Sequence, residues 1–593
     1  MSSRKIDVVP QEAEHHADAS ALPDTRGLDF FQADLSFRQV LPLYLAADVA
    51  AHLWPHLRRL AAMLGGKLDA LADAADKNPP VLHHRDRRGI DRQWIEKHPA
   101  YEEMERIAFG EFGLAAMSHR GGVLGWPEPL PPAAKYALTY LLVQAEFGLC
   151  CPVSMTDSLT RSLVKFGDPA LVARYLPALT SQDLDASAQG AMFMTEQHAG
   201  SDVGQVQTVA RRERGEWRLY GDKWFCSNAD ADLAMVLARP EGAGPGTKGL
   251  GLFLLPRNLP DGSQNAYRIV RLKNKLGTRS MASGEIKLEG ALAYPIGDMA
   301  KGFVQMADMI NNSRLSNGVR AAGLMRRALT EARHVARERV AFGKRLEDLP
   351  LMRRQLLKLM VPTEQALSFF LYTAETLRRA DAGETAAKPL ARILTPLIKY
   401  RACRDARKVT GDAMEVRGGA GYIEEWIDPR LLRDSHLGSI WEGTSNVVAL
   451  DVLRSARKDG AHHKLAEALV AELAATRGLA KAQVALFGGP LQRAADFIDS
   501  AIKAKLSDRL ARQGAALLYH ATSAVLMARE AFAIHAASGD ARRLLLARLV
   551  LDHRLSARDA FAADDADWFS EVAGLLLSDK PVPLEKALSL SAR

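Results

Sequence analysis

Cysteine is scarce in this chain. Cys150, Cys151, Cys226 and Cys403 are the four thiols among 593 residues, and none has Cys-x-x-Cys spacing. A disulfide-stapled scaffold is excluded, and reduced thiols in a cytoplasmic protein are expected. Long apolar runs are also missing. The richest, near 137–155, is broken by Gln144 and Glu146, well short of the ~18 uninterrupted apolar residues of a membrane span. The opening MSSRKIDVVPQEAEHHADAS lacks the apolar stretch of a secretory signal, so none is expected. Neither sign of charge dominates. Lys and Arg number 78 against 70 Asp and Glu, a net +8, which permits anionic partners without demanding them.

Several generic motifs are absent. No Gly-x-Gly-x-x-Gly follows a strand pattern, so a Rossmann dinucleotide site has no support. GAGPGTKG at 242–249 lacks phosphate-loop spacing and reads as a surface turn. No Gly-x-Ser-x-Gly elbow appears. The His pairs at 15–16, 83–84 and 462–463 have no carboxylate or Cys partner at ligand spacing, and no metal is expected.

What is present is ordinary globular composition, 48% hydrophobic and 25% charged, which excludes disordered and collagenous classes. A chain this long exceeds one hydrophobic core and predicts three or four domains. Residues 1–25 are polar and aperiodic, a mobile tail. Residues 26–190 carry apolar side chains at three-to-four spacing, a helical domain. Residues 191–300 change texture. QVQTVARRERGEWRLYGDKWFCS reads as two strands about ERGE, and LAMVLARP, GLGLFLLP, AYRIVRL and GEIKLEG follow between Gly-, Pro- and Asp-rich turns. That predicts an antiparallel β domain. Long amphipathic helices return over 301–455, with Pro362 expected to kink or break one of them. Residues 456–593 read as an Ala/Leu-rich helical extension. The fold class is therefore mostly α with a central β domain.

Three segments stand out. MTEQHAGSDV (194–203) gathers a hydroxyl, small residues and an acid where the β domain begins; it suits a polar ligand or a plain strand-entry turn. EVRGGAGY (415–422) interrupts a helical pattern with two glycines, for close backbone approach or for a helix C-cap. SIWEGTSNVVALDVLR (439–454) sets Glu442 between Trp441 and Gly443 ahead of an apolar helix, as a base or beside an ordinary N-cap.

Together, in this order, these segments resemble the acyl-CoA dehydrogenase family. MTEQHAGSDV resembles its flavin segment, KWFCSN (223–228) its Trp/Phe-x-Ser/Thr-Asn strand, and ERVAFGKRL (338–346) its Arg-x-x-Phe-Gly cofactor clamp. RGGAGY and IWEGTSN resemble its last two signatures. The resemblance covers about 130–455 and implies a helical domain, a β domain and a four-helix bundle. RLKNKLGTRSMASGEI (271–286), the WF of KWFCSN, WEG with ALDVLR, and the long extension resemble the AidB-like branch.

The resemblance implies an FAD site built by two subunits, and hence a homotetramer. Met194, Thr195 and Ser201 would lie along the flavin and pyrophosphate, with Phe225 and Ser227 flanking the isoalloxazine ring. Arg339 and Phe342 would reach the FAD of a neighbouring subunit. Glu415, Gly418 and Gly419 would approach the adenosine half, and Thr444 and Asn446 would contact the cofactor beyond the catalytic acid. Glu442 aligns with the catalytic base, and Arg314 with an arginine near the acyl-CoA. Some relatives carry the base near the position of Ser313, where Asn311, Asn312 and Ser313 offer no carboxylate. The implied reaction is α,β-dehydrogenation of an acyl-CoA, with electrons passed to electron-transfer flavoprotein.

A different class of function is duplex DNA binding by the extension, since the AidB-like branch is associated with the response to alkylation damage. Residues 477–558 hold 13 basic against 6 acidic side chains. Lys503, Lys505, Arg509 and Arg512 fall at i, i+2, i+6 and i+9, which is not a single tight stripe.

Overall fold

The computed structural model describes residues 21–504, 507–557, 559, 561 and 565–592. The expected tail over 1–20 lies outside them. Residues 21–25 do not run free. The Pro23 carbonyl accepts from Arg417 at 2.8 Å, and the buried Thr25 hydroxyl donates to Glu331 at 2.7 Å.

The N-terminal domain is helical over Ala47–Ala61, Lys67–Lys77, Pro132–Leu142, Cys150–Phe166 and Pro169–Leu179. It also holds a hairpin that the helical reading overlooked, β1 (Val81–Arg85) with β2 (Asp91–Glu96). The turn is local chemistry. Asp86 accepts from the Arg88 and Ile90 amides at 2.8 and 3.0 Å, and Gly89 takes φ +82°. The Gln93 side chain exchanges two hydrogen bonds with the Ile269 backbone, at 2.8 and 2.9 Å, and ties the hairpin to the β domain.

That domain comprises β3 (Gly190–Phe193), β4 (Val209–Glu213), β5 (Glu216–Ser227), β6 (Leu233–Pro240), β7 (Gly251–Pro256), β8 (Tyr267–Leu272) and β9 (Ser283–Pro295). The path β6–β4–β5–β9–β7 returns to β6 and closes the sheet. Most pairings are antiparallel, but β6 runs parallel to both β3 and β4, where the sequence predicted antiparallel strands alone. The single helical turn Val203–Gln205 and the loop around it carry the chain from β3, on one side of β6, to β4 on the other, so neither is joined to β6 by a hairpin. Phe193, Leu219, Val236, Phe253 and Ile286 fill this domain's own core.

The bundle is Gly302–Glu338, Pro350–Asp381, Ala387–Arg417 and Ser445–Asp459, with Ile427–Gly438 crossing it. Pro362 neither breaks nor ends its helix, which runs unbroken through it. Pro362 is buried among packed neighbours, and the Thr363 hydroxyl adds a 2.8 Å bond to the Leu359 carbonyl. Tertiary packing outweighs the lost amide bond.

The extension covers the bundle with helices including Ala461–Ala474, Lys481–Lys503, Ser507–Ser538 and Arg542–Val550. A buried row of alternating charges joins three regions. Asp34 sits 3.1 Å from Arg326, Arg326 donates to Glu364 at 2.6 Å, and Arg543 donates to Glu364 and Glu530 at 2.8 Å each. Burial opposes ionisation of Glu364, yet the two guanidiniums hold its carboxyl down at about 2. Removing one member would strand a buried charge.

Candidate active site

The turn between helices Ile427–Gly438 and Ser445–Asp459 carries Glu442 with φ +55° and Gly443 with φ +99°. A non-glycine residue in the left-handed region is costly and needs support. Two cations supply it. Lys399 donates to the Gly443 carbonyl, and Arg314 Nε to the Glu442 carbonyl at 3.1 Å. A Cβ on Gly443 would lie 3.3 Å from Arg314 and from two valine methyls, so the turn is closed. Burial lowers the Lys399 ammonium to about 8.

The Glu442 side chain is only 5% exposed. Ser313 Oγ donates to its Oε1, and Asn317 Nδ2 to Oε2 at 2.9 Å. Asn317 Oδ1 accepts from the Trp441 indole at 2.9 Å, so one amide fixes both acid and ring. Arg320 lies 3.8 Å from Oε1, its guanidinium 4.8 Å from the Trp441 ring centre and 5.4 Å from that of Phe147. Both its terminal nitrogens are buried without a hydrogen-bond partner among the described residues. Residues 313, 317 and 320 are i, i+4 and i+7, so one face of helix Gly302–Glu338 forms the whole seat.

Cys151 connects this seat to the β domain. Burial pushes its thiol up to about 11. It also feels the charges of Arg320 and Glu442, and it lies beside Ser227 at the end of β5. Beside Ser227 on that strand, Phe225 is 62% exposed. The Thr195 carbonyl accepts from the Trp224 amide at 2.9 Å, which lays the Met194–Thr195 segment along β5. Glu196 is the clamp of that segment. It accepts from the Gln207 and Thr208 amides at 2.6 and 3.1 Å and from buried Lys223 at 2.8 Å. Ser201 is exposed on the loop beyond, and Thr444 and Asn446 are exposed at the start of the helix after Glu442. The 271–286 segment packs alongside. The Thr278 amide donates to Asp434 at 2.6 Å, and the Ser280 hydroxyl to Glu146 at 2.7 Å. Burial, with Glu146 nearby, raises Asp434 to about 7.

The other expected cofactor residues gather elsewhere. Arg339 Nη1 donates to the Arg417 carbonyl at 3.0 Å and would stand 3.4 Å from a Cβ on Gly418. Phe342 is 93% exposed, and Glu415, Gly418 and Gly419 are exposed with it. At ~1.5 Å per residue, the 25 residues from Ser313 to Glu338 set this group roughly 38 Å along the helix from the Glu442 seat. The structure thus divides the expected residues into two clusters. Arg314 belongs to the first, though it is buried against Asp451 at 2.8 Å and holds the turn.

Family models match along most of the chain: the AidB adaptive response protein N-terminal domain over 21–186, the acyl-CoA dehydrogenase middle domain over 191–291, and the acyl-CoA dehydrogenase C-terminal domain over 300–457. AidB of Escherichia coli (strain K12) is 36% identical over 414 residues, 68% of this chain and 73% of AidB. The chain belongs to the acyl-CoA dehydrogenase family. Within it, this acyl-CoA dehydrogenase family member falls in the AidB-like branch. Acyl-CoA dehydrogenase family member 11 of Caenorhabditis elegans is 32% identical over 432 residues, 71% of this chain and 69% of that protein. The crystal structure of C. elegans ACDH-11 in complex with C11-CoA matches with a TM-score of 0.81 at 27% identity, covering 91% of this chain and 93% of that one.

Sequence reading passed over Asn317, Arg320, Lys399 and Cys151. For Asn317 and Arg320 in this family member, the available signal was their i, i+4, i+7 spacing with Ser313 on one helix. It also found no carboxylate for the His pairs. His83 meets Glu96 at 2.7 Å, and His462 and His463 each meet Asp499 at 2.8 Å; their ligand atoms lie within 4.8 Å of one another. Asp499 comes from a different helix, so no local spacing could reveal it. His15 and His16 lie outside the described residues.

Proposed function

We propose that this chain is an FAD-dependent acyl-CoA dehydrogenase in which Glu442 takes the α-proton of an acyl-CoA thioester. The observation that carries this reading is the Glu442 carboxylate, enclosed and hydrogen-bonded at both oxygens by Ser313 and Asn317. The donor set suits FAD. Phe225 leaves an aromatic face open beside Ser227, while Arg339 brings a guanidinium beside Gly418, and a Cβ on Gly419 would meet only open space. That second group fits pyrophosphate and adenosine. FAD supplies the acceptor for the β-hydrogen and its electron pair.

The chain's own residues handle the proton. Ser313 and Asn317 aim the carboxylate, so the α-proton passes to an oxygen already fixed in place. Arg320 balances its charge from behind. Trp441 and Phe147 exclude water on that side. Lys399 and Arg314 keep the strained turn from relaxing and act as positioning residues. As the α-proton goes to Glu442 and the β-hydrogen leaves with its electron pair, the Cα–Cβ bond becomes double.

Because Arg339 and Phe342 stand roughly 38 Å along the helix from the base, further than FAD extends, they serve the site of a second subunit. In this reading the sites are shared within a homotetramer, and electron-transfer flavoprotein takes the electrons; family membership supports both. The neighbour solved with C11-CoA makes medium and long chains the first to try. The test is anaerobic titration of the FAD-loaded protein with acyl-CoAs of four to sixteen carbons. Bleaching of the flavin by one chain class supports the proposal; no bleaching by any acyl-CoA refutes it.

Duplex DNA binding is the second reading, favoured by one observation. Arg404, Arg407 and exposed Arg512 crowd closely enough that burial and the neighbouring guanidiniums lower the Arg404 pKa. Arg404 and Arg407 belong to bundle helix Ala387–Arg417, exposed Arg509 and Lys503 lie with Arg512 on the extension, and Lys505 lies outside the described residues. Binding to a duplex that weakens steeply with salt supports it; no shift at low salt removes it. Among the described residues, no helix is long and apolar enough to cross a membrane.

A further inference from the structure

A cavity of about 370 Å³ opens where the first helices, the far end of helix Gly302–Glu338 and the extension meet. Its wall carries five arginines, Arg38, Arg326, Arg333, Arg337 and Arg542, against three carboxylates, Asp29, Glu364 and Asp579. Most of these charges are already committed. Arg326 is held by Asp34 and Glu364. Arg542 donates to Asp540 at 2.6 Å and to the Ser578 and Lys580 carbonyls at 3.1 and 2.7 Å. Asp29 caps its helix through the Gln32 amide at 2.9 Å.

Two cations are left short. Asp579 is shared by Arg337, at 3.0 Å, and Arg333, at 3.5 Å; the Leu577 carbonyl accepts from both, at 2.9 and 3.2 Å, and Glu347 is a second carboxylate for Arg337 alone, at 3.5 Å. Burial and the neighbouring guanidiniums lower Arg333 to about 10. Arg38 meets only the Gln32 carbonyl, at 3.0 Å, and its Nε is buried without a partner among the described residues. Arg38 has no carboxylate partner among the described residues and Arg333 only a shared, longer one, so a bound anion would complete the pairing of both. The rest of the wall sets apolar Leu329, Met360, Leu546 and Leu576 beside the polar Gln32, Ser36, Thr330 and His334.

We infer that this cavity binds a small organic anion, a phosphate or carboxylate head on a short apolar body. Its size, at the lower end of the ~300–1,000 Å³ of ligand pockets, rules out a polymer. It is distinct from the Glu442 seat. Arg333 lies 13 residues beyond Arg320 on the same helix, roughly 20 Å at ~1.5 Å per residue. Because helices of three regions form the wall, the bound anion fastens the extension to the bundle. The inference does not depend on the flavin chemistry.

The full-length protein as purified would be titrated by calorimetry with octyl phosphate, octanoate, inorganic phosphate and octyl glucoside at fixed ionic strength. Hydrogen exchange would be followed over 329–337 and 572–579. The expected result is binding of octyl phosphate or octanoate, protection of both segments, and at least tenfold weaker binding in Arg333→Met and in Arg38→Met. Tighter binding of octyl phosphate assigns a phosphate head, and of octanoate a carboxylate. Arg333→Lys keeps the charge, and retained binding there separates lost recognition from lost fold. Octyl glucoside or inorganic phosphate binding as tightly as octyl phosphate would overturn the inference. So would variants that bind like the parent, no binding of any probe, or protection confined to other segments.

Discussion

Replacing Asn317 by Leu should damage both stability and turnover, because a single amide fixes Glu442 and Trp441. Asn317 is fully buried, donates to Glu442 at 2.9 Å and accepts from the Trp441 indole at 2.9 Å. A hydrogen bond to a charged group contributes about 1.5–3 kcal/mol, and a stranded buried indole N–H costs about 1–3 kcal/mol. The two share a network and are not additive, so a loss of about 3–5 kcal/mol is expected. The freed carboxylate would also lose its aim, and a misplacement of ~1 Å costs about 10²-fold in rate. Trp441→Phe is the control, since it removes the indole bond and leaves Asn317 on Glu442. Urea unfolding by circular dichroism and the rate of anaerobic flavin bleaching measure the two effects. The reasoning fails if Asn317→Leu bleaches within threefold of the parent, or if Trp441→Phe slows bleaching equally.

Asp434 is raised to about 7 by burial and by Glu146, so the folded protein holds that proton more tightly than the unfolded chain. Stability from this group is present below about pH 4 and lost as pH rises through about 7, by at most about 4 kcal/mol at 1.36 kcal/mol per unit. Asp434→Asn keeps the acceptor for Thr278. It should gain stability over the parent at pH 8 relative to pH 5, and parallel urea midpoints at the two pH values would refute this. Arg339→Ala should lower FAD retained after gel filtration several-fold while the Glu442 seat stays folded; equal flavin content would remove the role of Arg339 at the cofactor.

Much of the architecture was legible because hydrophobic periodicity reports local structure. The switch from three-to-four spacing to short β runs near 191 marked the sheet, and the return of long helices marked the bundle. What escaped depended on contacts between distant residues. The hairpin at 81–96 is exposed over most of its length and is held by Gln93 reaching Ile269, which no local pattern records. The parallel pairings of β6 follow from connections that cross the sheet. Pro362 sits inside a helix that continues through it, among buried neighbours from other elements. Asp499 reaches His462 and His463 from another helix.

The candidate site divides in the same way. Glu442 was conspicuous because an acid between Trp441 and Gly443 is odd chemistry for a helix start. Its seat was not. Ser313, Asn317 and Arg320 belong to no motif, and only their i, i+4, i+7 spacing on a buried helix marks them. Arg314 was legible by its position, but its contacts with the Glu442 carbonyl and Asp451 depend on residues more than a hundred positions away.

The most direct test of the central claim is a comparison of the parent with Glu442→Gln, both loaded with FAD, under anaerobic titration with the acyl-CoA that bleaches the parent. The amide preserves shape and hydrogen bonding but cannot take the α-proton. The account predicts an unchanged flavin spectrum and flavin content, with bleaching slowed by at least ~10³-fold. Bleaching at the parent's rate would contradict it and remove Glu442 as the base.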